Sequence, residues 1–303
     1  MKGTRMGFEV AAGPGLSRRR ILTAGAVAAT GMALALEGGG RQARAASKAP
    51  AIFYSPHQDD EAIGLAGSIL EHKAAGRPVY LVLVSRGEND KLAEIMNMGD
   101  CKWLGEKCSA PKHYHKLGWA EKKSQEVVAA RKAEFRASAK ALGVDKVIDF
   151  DLPDDAFGDY DGFVKKIVKK VRELDKKYPG ASHKFSAGWL DLTATHKACS
   201  DAAAQLFNDR EITDVRFHHI YAYQQRAEAD RAKGASYVLN IPPKHMEIKR
   251  KAILAYNTWD PSRNLYSLGY HSVSEWLENA YADPREFVYT LPDDYVFGRI
   301  PGH

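Results

Sequence analysis

Apolar and polar positions follow two alternating patterns through residues 50–260. Uninterrupted apolar runs of five to seven residues are typical of strands buried on both faces of a parallel sheet. Between these runs, apolar positions recur at helical spacing, as at Ile63, Ala66 and Ile69. The predicted strands are 51–55, 79–85, 146–150, 184–190 and 218–223, and the predicted helices are 61–76, 124–142, 159–177, 196–207 and 247–256. This alternation predicts a Rossmann-like, doubly wound, mostly parallel sheet flanked by helices in a single α/β domain over residues 47–303.

The segment 89–124 breaks this pattern, because Asn, Asp, Gly, Lys and Cys punctuate it. We interpret it as an insertion, a long loop or small subdomain over the sheet edge. It contains Cys101 and Cys108, which we expect to be the pair that forms a disulfide outside the cytoplasm. The third cysteine, Cys199, lies in a sequence typical of a buried helix face.

The first 46 residues have the pattern of a cleaved export signal rather than of a membrane span. Three arginines precede an Ala-rich apolar run, Ile21–Leu36, and Ala43–Ala45 provides a small-x-small cleavage site. The pair Arg18-Arg19 resembles a twin-arginine signal, which implies a secreted protein. The alternative is an uncleaved N-terminal anchor, although the apolar run is short for a helix that spans a bilayer.

The location of the charge argues against a nucleic-acid partner. The chain of 303 residues has a formal net charge of +6, of which residues 1–46 carry +5. The body is therefore nearly neutral, and its basic residues are interleaved with acidic ones. We expect a small-molecule or glycan substrate and no stable membrane insertion.

The clearest chemical motif is the run His57–Glu61 (HQDDE), which directly follows the first predicted strand. Zinc prefers His nitrogen and carboxylate oxygen, and a hydrolytic site leaves one coordination position open for water. The spacing of His57 and Asp60 on a turn that enters a helix lets both face one ion, with Asp59 on the substrate side. An acidic helix N-terminus is the alternative, but it explains two carboxylates and not the histidine beside them.

This motif resembles the His-Pro-Asp-Asp-Glu signature of the PIG-L/LmbE-like zinc deacetylases of N-acetylated sugars, with Gln58 in place of Pro. Further similar segments follow in the family's order: Val84–Glu88 resembles its Thr-x-Gly-Glu turn, and Leu152–Asp154 resembles its Leu-Pro-Asp loop. Arg131 and Glu134, on a helix that ends at Leu142-Gly143, resemble its Arg-x-x-Glu helix.

The resemblance implies a Zn²⁺ cofactor and specific roles for five residues. His57 and Asp60 are implied as metal ligands and Asp59 as the general base. Arg86 and Asp154 are implied as residues that contact the sugar.

The third ligand depends on how the family's His-x-x-His pair aligns with Thr193–Cys199. Alignment of His196 with the second His makes His196 the ligand and puts Thr193, a candidate substrate-binding residue, where the first His stands. The other register makes Cys199 the ligand. The small-residue helix that follows favours His196.

Thr193 can donate only a weak hydrogen bond, so the function of the family's first His needs another source. Asp59 can serve as both base and acid. Alternatively, a histidine from elsewhere supplies the missing group, either His218 or His219 or, in the insertion, His113 or His115. His218 and His219 are otherwise interpreted as strand residues, one facing in and one facing out.

The sequence thus predicts a zinc-dependent hydrolase that removes an N-acetyl group from an amino sugar or its glycoconjugate. A zinc amidase for another N-acyl compound, from a cell wall or an antibiotic, is the alternative enzyme. A carbohydrate-binding protein without activity is the alternative from another class. One set of aromatic residues is expected either to stack on a sugar or to pack in the core: Tyr256, Trp259, Tyr266, Tyr270 and Trp276.

Overall fold

The structure is a computed structural model that describes residues 49–98, 115–154 and 156–300. Three sequence predictions lie outside the described residues: the export signal of residues 1–46, the Cys101–Cys108 pair and a role for His113.

Within the described residues, seven strands form the central sheet, and two short strands form a separate hairpin. The strands of the central sheet are β1 (Ala51–Ser55), β2 (Val79–Ser85), β3 (Lys146–Leu152), β4 (Ser182–Ser186), β5 (Asp214–His218), β6 (Tyr237–Asn240) and β9 (Arg285–Tyr289). Their order across the sheet is β3-β2-β1-β4-β5-β9-β6. Strands β1 to β5 pair in parallel, whereas β9 is antiparallel to β5 and β6. The hairpin consists of β7 (Trp259–Asp260) and β8 (Leu265–Tyr266).

Helices connect the strands and cover the sheet. They are α1 (Ala66–Ala74), α2 (Asp90–Asn97), α3 (Gln125–Ala141), α4 (Tyr160–Lys177), α5 (Gly188–Asp191), α6 (Ala194–Asn208), α7 (Ala222–Gln225), α8 (Pro243–Ala255) and α9 (Leu268–Ala282). A π-helical turn, Glu61–Leu65, precedes α1. Helices α3 and α8 pack together, as do α4 and α6. Because parallel crossovers are right-handed, the helices that follow β1 and β2 cover one face and those that follow β3 and β4 cover the other.

The hydrophobic core is centred on β1, whose five side chains are all buried. Tyr54 of β1 stacks on Phe185 of β4, with the ring centroids 4.1 Å apart. A strand with both faces buried needs the continuous apolar sequence from which it was predicted. The predicted Rossmann-like, mostly parallel α/β domain is confirmed by this architecture.

Two predicted strands are displaced along the chain. The strand predicted over 184–190 spans Ser182–Ser186, and Gly188–Asp191 forms the short helix α5 instead. The strand predicted over 218–223 is also wrong, because β5 ends at His218, where the prediction began. Apolar runs mark burial, but the strand bounds follow from pairing, which matches Ser182 with Asp214 and Ser186 with His218.

Several elements were not predicted. The first part of the 89–124 insertion contains α2, and Asn89 caps it by accepting the Leu92 N–H at 3.2 Å. Strands β6 and β9 and helix α9 were also missed. Within the described ranges, no helix combines the length and the apolar character that a membrane crossing requires.

Candidate active site

The candidate site lies at the carboxyl ends of the parallel strands, where the strand order reverses between β1 and β4. His57 follows β1, Asp154 follows β3, and His196 lies in α6 after β4. A crevice forms at such a reversal because the two adjacent crossovers leave in opposite directions. The topology therefore brings together residues that are 139 positions apart in sequence, His57 and His196.

Three predicted ligands, His57, Asp60 and His196, form one cluster. Nδ1 of His57 lies 3.3 Å from Nε2 of His196. Oδ2 of Asp60 lies 3.1 Å from Nε2 of His196 and 3.6 Å from Nδ1 of His57. Among the described residues, this is the one group of His, Cys, Asp and Glu side chains close enough to hold a metal ion.

The cluster fits a tetrahedral zinc ion. Zinc bonds of about 2.0–2.1 Å in a tetrahedral arrangement need ligand atoms roughly 3.3–3.4 Å apart. The three distances between the nitrogen and oxygen atoms of the cluster, 3.1, 3.3 and 3.6 Å, lie around this value. Oδ1 of Asp60 is buried and has no hydrogen-bond partner among the described residues, so the carboxylate keeps free lone pairs. Only His57, with 17% of its side chain exposed, opens the cluster to solvent. The donor set and its spacing therefore suit a metal with one accessible side.

Each imidazole is oriented by a second carboxylate. Nε2 of His57 lies 2.9 Å from Oδ2 of Asp154, and Nδ1 of His196 lies 2.7 Å from Oδ2 of Asp191. Because an ionised carboxylate can only accept, each neutral ring carries its proton on that side and directs a lone pair into the cluster. Burial opposes the charged imidazole of His57, but the carboxylates of Asp154 and Asp60 together outweigh burial and raise its pKa to about 9.

Asp191 is a residue that the sequence analysis missed. Its side chain is fully buried, and Oδ1 accepts the backbone N–H of Tyr221 at 2.9 Å. Burial opposes the charged form of His196, but the carboxylates of Asp60 and Asp191 raise its pKa to about 10. In the sequence, Asp191 is marked only by its position, five residues before His196. Its contact with His196 forms because α5 folds back onto α6.

A close backbone approach makes that fold-back possible. A Cβ atom at Gly188 would lie 2.2 Å from the backbone carbonyl of His196. The Gly188 N–H also donates to Oγ of Ser200 at 2.7 Å. Glycine is therefore required where the chain leaves β4.

Asp59 is held beside the cluster in an unusual backbone conformation, with φ of 94°. Its N–H donates to the Tyr256 hydroxyl at 2.9 Å, and that hydroxyl donates to Glu61 at 2.7 Å. The guanidinium of Arg131 lies 3.4 Å from Oδ2 of Asp59. Burial and, after it, the neighbouring Asp60 carboxylate raise the pKa of Asp59 to about 7, although the charge of Arg131 opposes the rise. Unusual backbone angles like that of Asp59, and π-helical turns like Glu61–Leu65, occur most often at functional sites.

The other predicted substrate residues lie at or near the site. The Arg86 side chain is partly exposed and pairs with Asp151 at 3.0 Å. Thr193 is half-buried and caps α6, since its Oγ1 accepts the His196 N–H at 3.4 Å. Asp154 lies against His57, and its Oδ1 accepts the Thr195 hydroxyl at 2.6 Å. Contact of Arg86, Asp154 and Thr193 with a sugar stays a prediction.

A cleft of about 660 Å³ is lined in part by two residues that contact His196, Asp191 and Tyr221. Its walls include Thr193, Asp191, Tyr221 and Trp276. The Tyr221 ring packs on the His196 ring with centroids 4.5 Å apart, and on Trp276 at 4.6 Å. Burial, followed by the carboxylates of Asp60 and Asp59, raises the pKa of Tyr221 well above its usual value, so the phenol keeps its proton.

Only one of the five predicted aromatic residues lines this cleft, Trp276. Tyr256 and Tyr270 are buried. Trp259 and Tyr266 contact each other across the β7–β8 hairpin at 5.5 Å. The five predicted aromatic residues therefore do not form one sugar-stacking surface.

The alternative ligand and the alternative histidines lie elsewhere. Cys199 is buried, and burial raises the pKa of its thiol well above the usual value. His218 and His219 are both buried, so the expectation that one of them faces out is wrong. His115 stacks on Trp259 at 5.3 Å.

Solved structures share this fold at low sequence identity. A deacetylase of the teicoplanin biosynthetic pathway, a triple mutant, is 17% identical with a TM-score of 0.57, covering 81% of this chain and all of that one. The A40926 pseudoaglycone deacetylase is 16% identical with a TM-score of 0.52, covering 80% of this chain and 96% of that one. The 4-carboxy-2-hydroxymuconate hydratase of Pseudomonas putida is 15% identical with a TM-score of 0.53, covering 83% and 100%. Because a hydratase shares the fold, the likeness alone does not select a reaction.

No curated protein sequence matches the chain at a significant level. The model of one protein family does match, over residues 52–207, about half of the chain, and its description is PIG-L, GlcNAc-PI de-N-acetylase. The matched segment contains both the His57–Glu61 motif and His196. The resemblance and the enzyme class predicted from the sequence, a hydrolytic deacetylase, are confirmed by this match. The chain belongs to the PIG-L family of de-N-acetylases.

Proposed function

We propose that this protein is a zinc-dependent hydrolase that removes the N-acetyl group from an N-acetylated amino sugar or its glycoconjugate. The observation that carries the proposal is the cluster of His57, Asp60 and His196, with the Asp59 carboxylate near it. A cleft is lined by Asp191 and Tyr221, which both contact His196. A zinc ion held there supplies Lewis acidity to the amide carbonyl and to the attacking water.

The residues around the cluster have separate tasks. Asp59 accepts the proton of the attacking water, and Arg131 orients its carboxylate. Asp154 and Asp191 hold the two imidazoles in the tautomers that direct lone pairs inward. These contacts fix the geometry before substrate arrives, which lowers the cost of reaching the transition state.

The cleft offers a place for the sugar. Tyr221 packs on His196 and Trp276 packs on Tyr221, so two aromatic rings line the cleft, and Gln224 lies in the same wall. Pyranose rings combine apolar C–H faces with hydroxyl edges, so aromatic rings next to amides suit them.

The direct test is acetate release by the purified mature protein from N-acetylglucosamine derivatives, chitooligosaccharides and cell-wall fragments, with zinc and after chelation. We expect release that zinc restores. Stoichiometric zinc binding without release from any of these compounds would reject the acetyl-sugar substrate. Absence of zinc binding would reject the ligand assignment.

Two variants separate the roles of neighbouring residues. Asp59→Ala should retain stoichiometric zinc and lose most turnover, on the order of 100-fold or more, because the proton acceptor is removed. His57→Ala should lose both zinc and turnover. Near wild-type activity of the Asp59 variant would show that another group takes the proton.

We also propose export through the twin-arginine pathway, on the basis of Arg18, Arg19 and the apolar run after them. Full-length protein expressed in a bacterial host with this pathway should be released with a new N-terminus near Ser47. Conversion of both arginines to lysine should keep the protein in the cytoplasm. Unchanged export of that variant would point to a different route.

A further inference from the structure

The site lacks a strong hydrogen-bond donor where the family resemblance places one. Thr193 stands at the position of the family's first His, and its hydroxyl oxygen caps α6 by accepting the His196 N–H. When water adds to an amide, negative charge develops on the carbonyl oxygen, and a donor aimed at that oxygen stabilises the transition state. Another residue at the cleft can provide this donor in addition to the Lewis acidity of a bound metal.

Tyr221 is held rigidly beside the cluster. Its backbone N–H donates to Asp191, the carboxylate that orients His196. The ring packs on His196 and also on Trp276, with ring centroids 4.5 and 4.6 Å apart. Three contacts thus fix the ring relative to a candidate metal ligand, although Tyr221 comes from the loop after β5 and not from the His196 segment.

The Tyr221 hydroxyl is available to a substrate. The hydrogen bonds among the described residues include none from this hydroxyl, although its backbone N–H is bonded to Asp191. Tyr221 is half-buried and lines the same cleft as Thr193. By contrast, the hydroxyl of Tyr256, the other tyrosine at the site, is already committed to Glu61.

The alternative histidines are less suited to this task. His218 is buried and lines a different cavity, beside Lys184 and Asp214. His219 contacts Gln225 and lies 3.7 Å from Oδ1 of Asp191, whereas His196 contacts Oδ2 of that carboxylate. Neither ring is among the residues that line the cleft.

We propose that Tyr221 is a catalytic residue that donates a hydrogen bond from its hydroxyl to the carbonyl oxygen of the scissile N-acetyl group. This inference rests on the proposed function. The phenol keeps its proton throughout, so it adds electrostatic stabilisation and moves no atom. Proton transfer to and from water and the leaving amine is then left to Asp59.

The test is Tyr221→Phe, which removes the hydroxyl and keeps the ring that packs on His196. We expect kcat to fall by about 100-fold or more, the loss typical of removing one oxyanion donor, while KM changes by less than about three-fold. Zinc stoichiometry and the circular dichroism spectrum should match the wild-type protein. The matched control is Tyr178→Phe, which removes a tyrosine hydroxyl at the far end of α4 and should leave kcat unchanged.

A binding measurement gives a readout independent of turnover. A methylphosphonamide analogue of the substrate has a tetrahedral centre with an anionic oxygen in place of the developing oxyanion. Calorimetry should show that Tyr221→Phe binds this analogue about ten-fold or more weakly than wild type, whereas both bind the amino-sugar product alike. A residue that acted only through packing would not produce this difference.

The outcomes separate the two proposals. Turnover by wild type together with an equal kcat for Tyr221→Phe would overturn the role of Tyr221 alone. A rise in KM without a fall in kcat would also overturn it, because the hydroxyl would then bind ground state and transition state equally. No acetate release by wild type would overturn the proposed function, and the role of Tyr221 with it.

Discussion

Replacement of Asp191 by Asn tests whether a buried carboxylate outside the ligand cluster sets the metal affinity. In the wild-type protein, Oδ1 of Asp191 accepts the Tyr221 N–H and Oδ2 faces Nδ1 of His196. If Asn keeps its oxygen on the Tyr221 N–H, its amide NH₂ faces Nδ1 of His196. That ring nitrogen must then accept, so the imidazole proton moves to Nε2, the atom that faces Asp60 at 3.1 Å.

The size of the effect follows from the loss of that lone pair. With a proton on Nε2, His196 cannot bind a metal until the Asn side-chain amide at position 191 rotates. After that rotation, the NH₂ group of the amide faces the buried Tyr221 N–H, so two donors oppose each other. Loss of a carboxylate that orients a metal-bound histidine typically costs 10–100-fold in affinity, which is about 1.4–2.8 kcal/mol. We expect the zinc dissociation constant of Asp191→Asn to rise within this range.

Competition with a chromophoric chelator measures the zinc dissociation constant of both proteins. The matched control is Asp175→Asn, because Asp175 also pairs with a histidine, His183, at 3.3 Å, but at the other end of the sheet. That variant should bind zinc as the wild type does. An Asp191→Asn affinity within about three-fold of wild type, in a folded protein, would refute the assigned orientation of His196.

Two further substitutions test the backbone that supports the site. Tyr256→Phe leaves the buried Asp59 N–H without its acceptor, so we expect urea unfolding to show a loss of about 1–3 kcal/mol. It should also lower kcat with unchanged zinc stoichiometry, and an unaltered unfolding free energy would contradict this reasoning. Gly188→Ala would put a methyl group 2.2 Å from the His196 backbone, so we expect a destabilisation of about 1–3 kcal/mol or more and weaker zinc binding. Full stability with wild-type zinc affinity would show that the chain can move apart at this point.

Local sequence was sufficient to predict the first half of the site. His57, Asp59 and Asp60 lie within four residues on one turn after a buried strand, so their proximity depends on no distant contact. The strand–helix alternation was likewise predictable, because apolar periodicity reports burial within each element. The end of a helix was also predictable from local sequence, as at Gly143, whose positive φ of 68° follows the end of α3.

The second half of the site depends on which strands pair. Asp191 gains its role because α5 folds against the backbone of His196, and Tyr221 gains its position because β5 lies next to β4. The same pairing decides that the strand before Tyr221 ends at His218, a bound that the continuous apolar run left open. Strand register and the choice of neighbours depend on contacts between distant segments, which periodicity along one segment does not encode. The sequence alone thus determined the candidate metal-binding turn and the fold class, whereas the tertiary structure decided which carboxylates orient the histidines and which tyrosine lines the cleft.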